Sequence, residues 1–356
     1  MTRLYFTATE PRGSFTTASV WYDPFRLDID RPITGLDVLG LTRADLTVVE
    51  GDVTITNTSP ANLDRLLVKG HVRFTATIPR TLSNSIVEGR PFPTPGSPPL
   101  TSIVYARSTS TPANAVLNLT NCVIDCVQPD VNLVCANGER LGKCTRTRFM
   151  NGSDLVNYWG SRVWMEGCDV GPFTFWANDS KHTNDASHPG WSHNDGVQSN
   201  GCTDGIVRGC FFDMRANPNF GHYDVLATSF PGGRWGTAVM LSPSNGRFIN
   251  FKIQKNWFGY GQAPIALPFQ SGGSFNTGHS WDVSGNRCFA LPDPYGTNDY
   301  QLIRWGAEMG PLPASVHDNV FDNDPALRLG LRGLALSGAV LIGSGPSGQY
   351  VVRSNG

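Results

Sequence analysis

The residues best suited to chemistry lie in two polar stretches of a chain that is otherwise apolar and rich in glycine. The first, 173–194, carries Trp176, Asp179, His182, Asp185, His188 and Trp191, and runs into His193-Asn194-Asp195-Gly196-Val197-Gln198. The second, 213–235, carries Arg215, His222, Asp224, Arg234 and Trp235. Asp195 and Asp224 are a candidate carboxylate pair for glycoside hydrolysis, which needs an acid and a base about 6.5–9.5 Å apart when water attacks directly. Asp179 or Asp185 could supply a third acid. Trp191 and Trp235 are candidate platforms for the apolar face of a sugar ring, with His193, Gln198, His222 and Arg234 as hydrogen-bonding partners. An elimination mechanism would need a cation to hold a uronate carboxylate, and Arg215 and Arg234 are available, without an acid cluster at Ca²⁺-loop spacing. The same Asn, Asp and His residues could instead satisfy tight corners, and Asp-Gly is a common turn pair. His182, His188 and His193, spaced by six and five, fit no short zinc motif. We expect no metal and no cofactor.

These residues must be positioned by a repeating element. An apolar residue, two others, Cys or Asn, a gap and a second apolar residue recur as Leu119-x-x-Cys122-x-Ile124, Met165-x-x-Cys168-x-Val170 and Val207-x-x-Cys210-x-Phe212. They continue as Ile253-x-x-Asn256-x-Phe258, Val283-x-x-Asn286-x-Cys288 and Val316-x-x-Asn319-x-Phe321. Leu141-x-x-Cys144 is a weaker copy, because Arg146 stands in the last apolar place. Positions 122, 144, 168, 210, 256, 286 and 319 are separated by 22, 24, 42, 46, 30 and 33 residues, so a unit of 22 to 24 is interrupted by insertions. In an extended chain the Cys or Asn and the apolar residue two places on share a face. Coils stacked about 4.8 Å apart would set such residues in columns, small Cys giving way to self-pairing Asn. The spacing predicts an all-β, single-stranded parallel β-helix, right-handed by the rule for parallel crossovers. An antiparallel sandwich is the alternative. Val197 precedes Cys210 by 13 and Met240 precedes Asn256 by 16, which predicts that the strands after the two insertions are neighbours.

Composition agrees with this reading. There are 39 Gly and 25 Pro in 356 residues, and almost no stretch keeps an apolar period of 3.6. A net charge of -1 gives no footprint for nucleic acid, and no apolar run is long enough to span a membrane. The start Met1 to Glu10 lacks the pattern of a signal peptide. Synthesis in the cytosol is therefore expected, with the eight cysteines reduced and serving as small buried hydrophobes. We expect a cap or attachment segment at 1–35, the β-helix at 36–323 with insertions at 173–194 and 213–235, and a cap or oligomer contact at 324–356.

The column signature resembles the right-handed parallel β-helix superfamily that includes pectate lyases, polygalacturonases and bacteriophage tailspikes. Ile33-Thr34-Gly35-Leu36-Asp37, the stretch Leu46 to Val53, and His193 to Gln198 are similar to β-helix proteins encoded near the tail genes of actinobacterial phages. The Asn194-Asp195-Gly196 strand also resembles the Asn-x-Asp-Gly strand of polygalacturonase-type hydrolases, and that resemblance implies Asp195 as a catalytic carboxylate. The acid pair such hydrolases carry on the next coil is missing from Gly236-Thr237-Ala238-Val239-Met240. Their Gly-His-Gly loop is absent too, unless Gly221-His222-Tyr223-Asp224 substitutes. The resemblance therefore implies a minor tail or tailspike-like virion protein that contacts host cell-wall or surface glycan, with a glycan depolymerase as the alternative. Its expected partners are other virion tail proteins and further copies of itself, a trimer being favoured.

Overall fold

The computed structural model describes residues 32–89, 102–106, 114–127, 134–159, 162–175, 194–214, 216–217, 219, 237–242, 247–259, 263–267, 280–289, 303–306, 314–317, 319–321, 340–343 and 349–353. Short segments that alternate apolar and polar residues, such as Leu117-Asn118-Leu119-Thr120, form strands with the apolar side chains buried and the polar ones half-exposed. The strands fall into three long sheets. Sheet A runs over ten strands from Thr47–Glu50 to Val320–Phe321, and sheet C over nine from Asn62–Asp64 to Ala314–His317. Sheet B has eleven, starting at Val53–Ile55. Apart from the last two strands of sheet B, successive strands of each sheet come from successive coils and pair in parallel, so the fold is a parallel β-helix.

Register shows how regular the stacking is. On sheet C one inward row runs Leu63, Leu82, Leu119, Cys144, Met165, Val207, Ile253 and Val283. On sheet A the matching row runs Val68, Val87, Ile124, Phe149, Val170, Phe212 and Phe258. Phe212 and Phe258 stack with ring centroids 5.1 Å apart. These rows are the core.

Between sheets C and A the chain turns in two residues. The first is left-handed, from Arg146 at φ 47° to Gly285 at φ 63°, and the second is the column residue. The carbonyls of Ser85, Cys122, Thr147, Cys168, Cys210 and Asn256 accept from the backbone amides of Val123, Arg148, Asp169, Phe211, Trp257 and Arg287, each one coil on. Cys122, Cys168, Cys210, Asn256, Asn286 and Asn319 therefore do form one buried column. Cys144 does not belong to it. Thr147 holds that position, and Cys144 sits three residues earlier in the sheet C row, opposite Leu119 and Met165. The true unit is Cys144-x-x-Thr147-x-Phe149, and Arg146 is the left-handed turn residue rather than a failed apolar site.

The column side chains do one job with different atoms. Asn256 Nδ2 donates to the Val207 carbonyl at 2.9 Å, Asn286 Nδ2 to that of Ile253 at 2.9 Å, and Asn319 Nδ2 to that of Val283 at 2.8 Å. The thiols of Cys122 and Cys168 reach the equivalent carbonyls of Leu82 and Cys144, both at 3.2 Å. Asn adds an acceptor: Oδ1 of Asn256, Asn286 and Asn319 receives the amide of the preceding column residue at 2.9–3.0 Å. The seven cysteines whose side chains are described are all buried and free.

Ahead of the first coil, Gly35–Val38 and Arg43–Asp45 form short 3-10 turns. Leu36 and Leu46 pack with Leu67 and Ile86 in a small second core. Gly35 approaches so closely that a Cβ there would lie 2.6 Å from Val123 Cγ2, and its amide donates to the Arg146 carbonyl at 2.8 Å. This segment covers the flank of sheet A. At the other end, Gln349–Arg353 pairs antiparallel with Ile303–Gly306 and with Val340–Gly343, which ends the parallel run of sheet B. The residues 1–31 of the expected attachment segment, and the alternation at 327–331, lie outside the described residues.

Candidate functional site

The corner from sheet A to sheet B takes two residues at Gly51-Asp52, five from Asn151 to Leu155, and many more in the next two coils. In the first of these two the chain reaches Phe175 and resumes at Asn194, and in the second it reaches Asn217 and resumes at Thr237 as a strand. Both insertions leave and rejoin at this one corner. Thr174 Oγ1 donates to the Asn151 carbonyl at 2.9 Å. Asn194 Nδ2 donates to the carbonyls of Ser153 at 2.7 Å and Thr174 at 2.9 Å, which ties the two ends of the first insertion together. Asn217 Nδ2 donates to Asn151 Oδ1 at 2.7 Å, and Asn151 Nδ2 to Asp125 Oδ1 at 2.7 Å, so side-chain amides link three coils. Burial pushes the Asp125 carboxyl up and Glu88 adds to this, against the hydrogen bond from Asn151 and the charge of Arg43.

The strands that follow the insertions, Asp195–Ser199 and Thr237–Leu241, are parallel neighbours, as the spacing predicts. Val197 lies opposite Val239, and Gln198 opposite Met240. Asp195 and Gly196 are in the strand, not in a turn. Glycine is required at 196 because a Cβ there would fall 2.6 Å from the Ala238 carbonyl oxygen and 3.1 Å from both Met214 Sδ and Phe212 Cδ1.

Asp195 is 2% exposed, and its backbone amide donates to Asp154 Oδ1 at 2.9 Å. Asp154 is the carboxylate that sequence reasoning passes over. The signal is present as a repeat, since Asp154-Leu155-Val156-Asn157 and Asp195-Gly196-Val197-Gln198 occupy the same positions on adjacent rungs. It becomes visible only when Val156 is known to face Val197. Asp224, Trp191, His193, His222, Arg234 and Trp235 lie outside the described residues, so of the expected site residues Asp195 and Gln198 are the two the structure positions. Gln198 is half-buried on the outer face of sheet B, between the inward Val197 and Ser199. Its outward row continues through Asn157 and Asn137 in one direction and Met240 in the other. Trp159, two residues beyond Asn157, is 38% exposed.

Among the described residues no group of three or more His, Cys, Asp or Glu is placed to hold a metal ion. The sequence matches no protein-family model, and comparison with curated proteins and with solved structures finds no match.

Proposed function

We propose that the chain is a non-catalytic β-helical component of a phage tail that contacts glycan of the host cell envelope. The observation that carries this is the corner: two insertions rooted at one point enter adjacent strands of sheet B, and loops on a rigid scaffold are where binding is built. Binding is favoured over hydrolysis because Asp195 is buried and Asp154 is engaged by a backbone amide. The assignment to a virion tail is supported by the resemblance of Ile33 to Val53 and of His193 to Gln198 given above. The chain should sediment with envelope polysaccharide and release no reducing ends on long incubation. Replacing 176–193 by a short linker should weaken that binding. Undiminished binding in the linker variant would sink this reading.

One observation favours the depolymerase as a second reading. Asp154 and Asp195 stand on neighbouring rungs, and the Asp195 amide donates to Asp154 Oδ1 at 2.9 Å, which brings two acids to one corner. On that reading Asp195→Asn and Asp154→Asn each abolish release of reducing ends and leave binding intact.

A further inference from the structure

The corner between sheets C and A carries a charge that the chain as a whole does not. Arg146, Gly167, Gly209, Lys255 and Gly285 stack there on five successive coils in left-handed conformation, and the amides of the first four donate to the coil above. Arg146 and Lys255 are exposed, and each leans over the glycine of the next coil, since a Cβ at Gly167 or Gly285 would lie 3.4 Å from their Cγ atoms. Between them a Cβ at Gly209 would meet only the Gly167 nitrogen, at 3.9 Å. Two cations three coils apart, about 14 Å at the spacing of paired strands, therefore frame a stretch floored by bare backbone. Further back the same row holds Asn121, Asn84 and then Arg65, which lies 3.6 Å from Asp64. The adjoining outer face of sheet C adds Lys143, Arg208 and Lys252, and Arg162 stands at its far edge. Against these six cations are three carboxylates, each already engaged. Glu166 pairs with Arg208 and accepts from Trp164 Nε1 at 2.6 Å, Asp282 accepts from Gln254, and Asp204 accepts from Asn250 Nδ2 at 2.6 Å. The segments 243–246 and 268–279, which lead towards this face, contain no Asp or Glu.

We propose that this ridge, anchored by Arg146 and Lys255, docks a linear polyanion with its charges in the backbone, a phosphodiester-linked glycopolymer of the host envelope. Charge complementarity selects the partner. A surplus of cations on one rigid face of a chain whose net charge is -1 turns that face, and no other property of the whole, towards a polyanion. Arg146, Lys252 and Lys255 make no ion pair among the described residues, and a guanidinium fork matches two phosphate oxygens at once. A phosphodiester offers its unbridged oxygens whichever way the neighbouring sugars face, so a narrow ridge can follow it. A uronate holds its charge at the side of a ring and needs that ring turned towards the protein. Single-stranded nucleic acid would need aromatic faces for its bases, and the ring on this face, Trp164, is covered by Lys143 Nζ at 3.9 Å from its centroid. The inference rests on the glycan-contact reading for the source of the polymer, and it adds a second contact at a different corner from the one where the insertions are rooted.

The test is biolayer interferometry of the full chain over immobilised poly(glycerol phosphate), polygalacturonate, single-stranded DNA and neutral dextran, at several salt concentrations. Binding should be tightest on poly(glycerol phosphate), weaken with salt, and be absent on dextran. Arg146→Asn combined with Lys255→Asn should weaken it about tenfold and lower the slope of log affinity against log salt by about one to two, the loss of two phosphate contacts. Asn is suited to both places, because Asn84 and Asn121 already hold left-handed positions in the same row. Arg65→Asn, in that row but beside Asp64, should bind as wild type. Lys252→Gln changes a strand residue instead, and should give a smaller loss of the same kind if the double variant does not fold. Tighter binding to DNA or polygalacturonate, or unchanged binding in whichever of the double variant and Lys252→Gln folds, overturns the ridge. The wider reading then stands if the chain still sediments with envelope polysaccharide. A wild-type chain that binds neither poly(glycerol phosphate) nor envelope polysaccharide overturns both.

Discussion

Asn286 shows how one side chain can hold two coils together. Its Nδ2 donates to the carbonyl of Ile253 and to Asn319 Oδ1, and its Oδ1 accepts from the amide and the side chain of Asn256. The side chain is fully buried, so truncation strands a backbone donor and a backbone acceptor where water does not reach. Asn286→Leu should therefore cost about 2–4 kcal/mol in urea unfolding, whereas Cys168→Ala, which removes a weak thiol donor, should cost much less. Equal losses for the two would refute this ranking of the column. Asp125 gives a prediction of opposite sign. Burial and Glu88 raise its folded pKa above the unfolded value, so its contribution is fully present below the unfolded carboxyl pKa, about 3.9, and is lost as pH rises through the folded value. Asp125→Asn can still accept from Asn151 without a charge. It should be at least as stable as wild type at pH 7 and should flatten the decline in stability with rising pH. A variant that is less stable at pH 7 but equal at pH 3 would contradict the assignment.

At the scale of the coil, the fold was legible in the sequence wherever the column residue is Cys or Asn, and invisible where another residue does the same work. Thr147 Oγ1 accepts from the Cys122 amide at 3.4 Å, and Ser85 Oγ from the Leu66 amide at 3.0 Å. Both are coil positions that a search for Cys or Asn passes over. That substitution is also why Cys144 was drawn into the wrong row: its own strand places it where Leu119 and Met165 stand. The candidate site was legible to a lesser degree. Asp195 and Gln198 stand out by motif, but Asp154 and Asn157 acquire meaning only from their register with them. The corrected unit makes a direct prediction. Thr147 to Cys168 is one uninterrupted coil, so deleting residues 148–168 removes 21 residues and lets Thr147 continue into Asp169 in the register it already has with the coil below. Because each coil contacts mainly its neighbours, the shortened chain should keep its β circular dichroism and a cooperative melt. Deleting 148–158, about half a coil, should abolish folding. If both deletions fold, or neither does, the coil is not the unit of stability.

For the whole molecule, the ends of the helix matter more than its length. The first strands of the three sheets, Thr47–Glu50, Val53–Ile55 and Asn62–Asp64, each pair on one side only among the described residues. Val48 on the first of them is 50% exposed. The described segment ahead of them packs along the flank of sheet A through Leu36 and Leu46 rather than across this end. Unpaired edges with apolar neighbours invite a further strand, and a net charge of -1 sets up little repulsion between copies. The parallel run of sheet B is closed at the other end by the antiparallel strand Gln349–Arg353, so the two ends are not equivalent. The chain should therefore sediment as a homo-oligomer, a trimer by its resemblance to tailspikes, with the Thr47–Asp64 end as its most sensitive surface. Val48→Lys adds a charge at that end without touching the core and should shift the population towards monomer while leaving the circular dichroism unchanged. Wild-type chain that remains monomeric at every concentration in sedimentation equilibrium would sink self-association. An oligomer indifferent to Val48→Lys would move the contact elsewhere on the rod.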